Sequence, residues 1–418
     1  MRLSILALVA AFVFADTGAA KPPARQAHAS TDVAGVETWL RQPAAERRGD
    51  DPAFSRPLSR ADAARALAAM AKARLATVAA EDREAIAAKA LTIGDKTLKW
   101  ETRVFGEAPA GGRSLWISMH GGGNASPAVN DGQWRNQIRL YEPAEGIYLA
   151  PRAPTDTWNL WHEPHIDGLF QRLIDAQVAV NGVNPDKVYL LGYSAGGDGV
   201  WQLAPRMADR FAAAAMMAGH PGDASLLPLR NLPFAVFMGG ADGAYDRNRH
   251  AAEKTAELAR LHAADPGGYT FMSRIYPGLP HWMDRRDAEA LPWMARFTRD
   301  PWPKRVVWVQ DDVPHDRFYW LGIGDAGQLK VGGTVVATAT GQGITIAGDV
   351  PPGLTLRLSD RLLDLDRPVL VTVNGSVVFA GKVPRTARAI WQSLEERADP
   401  ASAATALLTL AGTERPDR

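Results

Sequence analysis

Residues 188–196 read VYLLGYSAG, an apolar run that leads directly into a serine flanked by two glycines. The run Val188–Leu191 predicts a buried strand, and the residues from about Gly199 onward are compatible with a helix. Acyl transfer requires an exposed and rigid nucleophile, and a sharp turn between strand and helix supplies one. Ser194 is therefore the predicted nucleophile. The alternative is a tight turn that carries a passive serine.

Short apolar runs like the one before Ser194 recur along the chain, and amphipathic stretches separate them. The runs are Leu115–Met119, Ile147–Ala150, Val188–Leu191, Ala213–Met217, Phe234–Met238 and Phe271–Tyr276. Short strands that alternate with helices indicate a mostly parallel sheet covered by helices on both faces. The predicted fold class is α/β, and residues 94–302 are its expected extent.

A second glycine motif, His120-Gly-Gly-Gly123, follows the first of these strands. A tetrahedral intermediate carries a negatively charged oxygen, and backbone N–H groups must point at it. Glycines allow the main chain to approach closely. Gly121, Gly122 and Ala195 are the predicted donors of an oxyanion hole, with a flexible glycine turn as the alternative.

The acid of a catalytic triad is expected after the nucleophile, at the end of a later strand. The run Phe234–Met238 ends in Gly-Gly-Ala-Asp242, which places Asp242 where a carboxylate can orient an imidazole. Asp246 lies further from the strand end, and Asp223 is a more remote candidate. Asp242 is the predicted acid.

The general base comes last in the order serine, acid, histidine. His281 follows the run Phe271–Tyr276 and meets both the order and the loop position. By contrast, His262 falls in a helical stretch, His315 falls in a later β-rich segment, and His250 is too close to Asp242. His281 is the predicted base.

Together these motifs resemble the α/β-hydrolase superfamily of serine hydrolases, and within it the secreted feruloyl-esterase and polyhydroxybutyrate-depolymerase-like carboxylesterases. Residues 184–189 and 209–213 are similar to the same group, and the resemblance covers about residues 95–300. It implies cleavage of carboxylic esters through a Ser-His-Asp triad and an acyl-enzyme intermediate. The chain has no cysteine, in which it departs from the disulfide-bearing members.

Many members of this fold carry a lid between the strand after the nucleophile helix and the strand before the acid. The connection here, residues 217–233, is short. We therefore expect an open, lidless site that accepts exposed, bulky or polymeric esters. Trp158, Trp161 and Trp282 are the candidate residues for its lining.

No metal or organic cofactor is expected, because the triad chemistry needs none. The histidines at positions 162, 165 and 220 do not have the regular spacing of metal ligands. Formal net charge is +1 with acids and bases mixed throughout, so nucleic acid is not an expected partner. The sequence leaves the oligomeric state open.

The N-terminus combines a basic start, a short apolar run and small residues before Lys21. This pattern is typical of a secretory signal peptide over residues 1–20, which predicts a periplasmic or secreted product with no stable membrane insertion after cleavage. The alternative is an uncleaved anchor. The absence of cysteine excludes a disulfide framework and thiolate chemistry.

Three further segments complete the expected organisation. Residues 21–93 are rich in Ala, Arg and Glu and predict a helical region, with a helix start around Ser59. Residues 303–388 predict a β-rich domain of antiparallel strands, in which Asn374-Gly375 marks a tight hairpin. Residues 389–418 are expected to form a helix and a frayed tail. The default role of the β-rich domain is to pack on the catalytic unit.

Two rival functions remain at this point. A serine peptidase of the prolyl-oligopeptidase kind shares the fold and the triad order, but usually carries a large N-terminal propeller that residues 21–93 are too few to form. A non-catalytic exported binding protein could also reuse the fold, with its β-rich end for recognition. The complete candidate triad favours the esterase.

Overall fold

The computed structural model of the protein describes residues 33–43, 46–47 and 52–410. The predicted signal peptide and the residues after 410 lie outside this part of the chain. Among the described helices, none combines the length and the apolar character needed to cross a membrane.

Eight α-helices are described. They are α1 Val33–Leu40, α2 Arg60–Ala88, α3 Pro127–Gln137, α4 Pro164–Asn181, α5 Ala195–Arg206, α6 Arg247–Ala264, α7 Ala290–Met294 and α8 Ala387–Glu396. The start of α2 is fixed by Ser59, whose hydroxyl accepts the N–H of Asp62 at 3.1 Å. Such a cap satisfies one of the N–H groups that the first helical turn leaves unpaired.

The central sheet has eight strands in the order β1-β2-β4-β3-β5-β6-β7-β8. Their bounds are β1 Ala90–Ile93, β2 Lys96–Phe105, β3 Arg113–Met119, β4 Gly146–Arg152, β5 Val183–Tyr193, β6 Ala213–Met217, β7 Phe234–Gly239 and β8 Phe271–Tyr276. The strands from β4 onward in this order pair in parallel, whereas β1, β2 and β4 pair antiparallel. All six strands predicted from apolar runs belong to this sheet, and the predicted α/β fold class is confirmed.

The helical region expected up to residue 93 ends earlier. Helix α2 stops at Ala88, and Lys89 adopts a left-handed conformation that turns the chain into β1. A hairpin through Gly94, at φ 59°, then joins β1 to β2. The reason is packing, because Leu91 and Leu98 are buried in the core of the sheet.

The C-terminal part forms two smaller sheets, ordered β16-β15-β13-β12-β9 and β10-β11-β14-β17. The strands are β9 Arg305–Val309, β10 Arg317–Phe318, β11 Leu321–Gly322, β12 Thr334–Thr340, β13 Gly343–Gly348, β14 Thr355–Leu358, β15 Val369–Val373, β16 Ser376–Gly381 and β17 Ala406–Thr409. Asn374 and Gly375 both have positive φ, as the predicted hairpin requires. One departure from the expected antiparallel pairing is that β13 and β15 pair in parallel.

One apolar core runs from the central sheet into the C-terminal sheets, and it includes buried residues such as Leu190, Trp201, Trp308 and Leu356. A separate cluster joins the first helices to α8, where the rings of Trp39 and Trp391 lie 4.7 Å apart. The C-terminal sheets therefore pack on the unit formed by the central sheet and its helices, and α1 and α2 contact α8 near the other end of the described chain.

Candidate active site

Ser194 lies at the turn between β5 and α5, with φ 57° and ψ −122°. This left-handed backbone is costly for a residue with a side chain and is retained where the surrounding structure enforces it. Gly192 and Gly196, on either side of Ser194, have no room for a side chain. A Cβ on Gly192 would lie 2.2 Å from the carbonyl oxygen of Gly196, and a Cβ on Gly196 would lie 2.2 Å from that of Met119.

The structure brings the three predicted triad residues together. His281, in the loop after β8, has its Nε2 at 3.0 Å from the hydroxyl oxygen of Ser194. Its Nδ1 lies 2.6 Å from a carboxylate oxygen of Asp242, which follows β7. The Asp242 side chain is almost fully buried, whereas that of His281 is 41% exposed. The imidazole is thus oriented by a buried carboxylate and reaches the hydroxyl from the solvent side.

The triad residues follow strands of a mostly parallel sheet in the order serine, acid, histidine, and the serine lies at a strained strand-to-helix turn. This combination identifies the fold. The fold is that of an α/β-hydrolase.

The competing acids lie elsewhere. The Asp246 side chain is 64% exposed and pairs with Arg249, and Asp223 accepts a hydrogen bond from Gln202. The competing histidines also have other contacts: His262 lies against the carbonyl of Gly268, and His315 contacts Asp167. The structure therefore places only Asp242, among the acids considered, against His281.

The predicted oxyanion residues surround Ser194. A Cβ built on Gly121 would lie 3.0 Å from the Ser194 Cβ, and Gly122 borders the same cavities as Ser194. Ala195 is the first residue of α5, so its N–H has no acceptor within the helix. Within the described chain, no acceptor is found for the N–H groups of Gly121 and Gly122. These groups are available to a ligand oxygen.

The loop that carries these glycines is held by side chains behind it. Asn130 accepts the N–H of Gly123 at 2.9 Å, and a Cβ on Gly122, at φ 110°, would lie 2.2 Å from the same amide oxygen. His120 is buried and accepts the N–H of Ala153 at its Nε2, so its Nδ1 carries the proton and donates to the carbonyl of Gly121. Burial lowers the pKa of His120 to about 4, which keeps the ring neutral.

Two cavities meet at Ser194. The larger has a volume of about 750 Å³ and reaches His281 and Trp282. The smaller has a volume of about 310 Å³ and reaches Trp158 and Ala195. Trp158 is 69% exposed and Trp282 is 48% exposed, so both side chains are accessible at the site.

Trp161 does not line the site, which corrects the prediction for this residue. Its ring is fully buried, and its indole N–H donates to the carbonyl of His120 at 2.8 Å. The reason is that Trp161 fills space beneath the glycine loop, where a Cβ on Gly199 would meet it at 2.4 Å. It supports the loop from inside.

Two residues near the nucleophile were not predicted from the sequence. The hydroxyl of Tyr193 donates to the carbonyl of His281 at 2.6 Å and accepts the N–H of Met283 at 3.1 Å, which fixes the histidine loop. Asp198 borders the smaller cavity and accepts the N–H of His220 at 2.6 Å. Burial raises the pKa of Asp198 to about 6. Nothing in their sequence spacing distinguishes either residue from ordinary core or helix positions.

No family model matches the chain. The chain is similar to a protein described as "Putative esterase NocK" from Nocardia uniformis subsp. tsuyamanensis, with 29% identity over 169 residues, which are 37% of this chain and 48% of the relative. The chain thus spans about half the length of the curated relative that it matches. This relative confirms the resemblance to esterases that the motifs predict.

Solved structures of similar proteins include a thermostable esterase, with 18% identity over 50% of this chain and 62% of that chain, at a TM-score of 0.37. They also include LpqC, a poly(3-hydroxybutyrate) depolymerase from Bordetella parapertussis, with 17% identity over 48% of this chain and 89% of that chain, at a TM-score of 0.33.

Proposed function

We propose that this α/β-hydrolase is an exported serine esterase that cleaves carboxylic esters through an acyl-enzyme. The observation that carries the proposal is the continuous contact from Asp242 through His281 to Ser194, beside two glycine N–H groups with no acceptor in the described chain. Nucleophile, base, orienting acid and oxyanion donors are the complete set that acyl transfer requires.

The proposed reaction uses each group in turn. His281 accepts the Ser194 proton as the serine oxygen attacks the ester carbonyl, and Asp242 stabilises the imidazolium that forms. The backbone N–H groups of Gly121, Gly122 and Ala195 bind the oxyanion. The intermediate collapses to an acyl-enzyme as His281 returns the proton to the leaving alcohol. Water, activated by His281, then releases the acid and restores the serine.

A substitution of the nucleophile tests this function. We expect Ser194→Ala to lose hydrolysis of p-nitrophenyl acetate, butyrate and octanoate and of methyl ferulate by several orders of magnitude, on the scale of about 10⁶ for a triad serine. Ser376→Ala, at an exposed position on β16, is the matched control and should retain full activity.

The result also separates the rivals. Equal activity of Ser194→Ala and the parent would overturn the proposal. Preferential turnover of an aminoacyl-p-nitroanilide would favour a peptidase, and a folded protein that never reacts with a fluorophosphonate probe would favour a binding protein.

The proposal that the protein is exported is supported by the sequence of residues 1–20, which has the three parts of a signal peptide. We expect cleavage after Ala20. N-terminal sequencing of the mature protein from the periplasm and the culture medium checks this. A product that still begins at Met1 in the cell membrane would contradict it.

A further inference from the structure

The larger of the two cavities at Ser194 is lined by basic residues. Arg135, Arg139 and Arg285 border it together with Ser194 and His281, and no Asp or Glu is among its lining residues. A cavity whose charged walls have one sign concentrates ligands of the opposite sign.

These three arginines have no ion pair with any carboxylate in the described part of the chain, and each is exposed. The two acids that interact electrostatically with Arg135 and Arg285, Asp131 and Asp287, are hydrogen-bonded to other residues. Asp131 accepts a hydrogen bond from Arg152 at 2.8 Å, and Asp287 accepts the hydroxyl of Tyr141. The guanidinium groups at the cavity are therefore free to bind an anion.

The backbone fixes where these side chains begin. Arg135 lies in the last turn of α3 and Arg139 follows it one turn later. Arg285 lies four residues after His281, and both it and Asp284 have positive φ, at 61° and 55°. Such conformations are costly and persist where the surrounding structure enforces them. The turn sets Arg285 on the same cavity as the proposed base.

The position of His281 indicates which cavity binds the alcohol portion of the ester and which binds the acyl portion. In the proposed reaction Nε2 of His281 must give its proton to the oxygen of the leaving alcohol. His281 borders the larger cavity and is not among the residues that border the smaller one. The alcohol portion therefore extends into the cavity of the arginines, and the acyl portion faces Trp158 and Asp198.

We propose that the alcohol portion of the substrate carries a carboxylate, which Arg135, Arg139 and Arg285 bind. This inference rests on the proposed esterase function and specifies its substrate class. A guanidinium group presents paired N–H donors whose geometry matches a carboxylate. Arginine is therefore better suited to this contact than lysine, whose ammonium group is a compact point charge.

Matched substrates test the proposal. In 4-acetoxybenzoate the anion is on the alcohol side, and 4-acetoxybenzamide is its neutral counterpart. Mono-(4-nitrophenyl) adipate and its monoamide place the same difference on the acyl side. We expect kcat/KM, corrected for the rate at which hydroxide alone hydrolyses each ester, to favour the carboxylate over the amide about tenfold in the first pair only. This preference should shrink in high salt.

Substitutions locate the effect. Arg135→Gln, Arg139→Gln and Arg285→Gln should each lower the carboxylate-to-amide ratio about two- to fivefold, mainly through KM, and the triple variant should bring it close to unity. The matched control is Arg83→Gln on α2, an exposed arginine outside the cavity, which removes the same charge and should leave the ratio unchanged.

A binding measurement separates this inference from the function on which it rests. By calorimetry, the Ser194→Ala variant should bind 4-hydroxybenzoate more tightly than 4-hydroxybenzamide, whether or not the parent turns over any ester. Equal binding and equal turnover within the first pair would overturn the inference while esterase activity stands. Loss of stability in the arginine variants with an unchanged ratio would also overturn it, since the arginines would then serve only to stabilise the fold. Absence of any Ser194-dependent hydrolysis, with carboxylate binding retained, would instead overturn the esterase function.

Discussion

His120 supports the oxyanion loop through both ring nitrogens. Its Nδ1 donates to the carbonyl of Gly121 and its Nε2 accepts the N–H of Ala153, which requires the neutral ring. Burial lowers the pKa of His120 from 6.5 to about 4. Between these two pH values His120 is protonated in the unfolded chain but neutral in the folded protein. The stabilisation that His120 contributes is therefore complete above pH 6.5 and is lost as the pH falls towards 4.

This difference predicts the pH dependence of stability. The free energy of unfolding should fall by up to about 3 kcal/mol more in the parent than in His120→Asn between pH 6.5 and pH 4, as the shift implies. Urea denaturation at several pH values in this range measures it. Asn retains a donor for the carbonyl of Gly121, which helps the variant to fold.

Two comparisons keep this test specific. His262→Asn replaces a partly exposed histidine on α6 that also contacts a backbone carbonyl, that of Gly268, and it is the matched control for the substitution itself. Asp198 acts in the opposite direction, because its raised pKa of about 6 makes folding more favourable as the pH falls, and this contribution cancels between parent and variant. Parallel curves for the parent and His120→Asn would show that the buried ring does not control this pH range.

A buried ionic cluster joins three separate elements. Arg299, which follows α7, contacts Asp186 at the start of the β5 run and Asp399 near the chain's end, both at 2.7 Å. Asp399 also accepts the hydroxyl of Ser402 at 2.8 Å. The positive charge of Arg299 lowers the pKa of Asp399 despite its burial. This cluster ties the C-terminal segment to the catalytic unit.

Removal of the arginine should be costly. Arg299→Met would leave the buried Asp399 without the cation that contacts it, and we expect the free energy of unfolding to fall by about 3–5 kcal/mol. Chemical denaturation measures the change. Arg299→Met combined with Asp399→Asn should recover part of the loss, because the buried charge is then gone. A double variant that is less stable than Arg299→Met alone would contradict this account.

The elements that sequence predicted are those with the strongest local signals. Apolar runs revealed the strands on both sides of Ser194, and the Asn374-Gly375 pair revealed a hairpin, because these features depend on a few adjacent residues. Strand β1 was missed because it is an edge strand of only four residues, and β2 beside it was missed because it mixes charged with apolar residues. The short strand β17 was missed because its neighbour in the sheet, β14, is distant in sequence.

The same distinction holds at the site. Ser194, Asp242 and His281 could be predicted because their order and positions after strands follow from the fold. Tyr193 could not, since its partner His281 lies 88 residues away and the contact exists only after folding. Trp161 was placed wrongly because a tryptophan in a loop gives no sign of which way its ring points.

For the molecule as a whole, the continuous core predicts one cooperative unit. Leu356 on β14 is fully buried in the core that also contains Leu190 and Trp201 of the catalytic unit. The two parts also share hydrogen bonds: Tyr319 donates its N–H to Asp209 at 3.0 Å, and His315 contacts Asp167 at 2.8 Å. Unfolding of the C-terminal sheets should therefore remove support from the helices behind Ser194.

A substitution that creates a cavity far from the nucleophile tests whether the two parts unfold together. Leu356→Ala should destabilise the protein by about 2–5 kcal/mol, as buried leucine truncations do. In urea, we expect loss of ester hydrolysis and onset of tryptic cleavage after residue 303 to move to the same lower concentration. Leu370→Ala, at a residue 45% exposed on β15, is the matched control and should move neither. If the C-terminal sheets unfolded independently, Leu356→Ala would shift the cleavage alone and leave the midpoint of inactivation in place, because the site would then depend only on the catalytic unit.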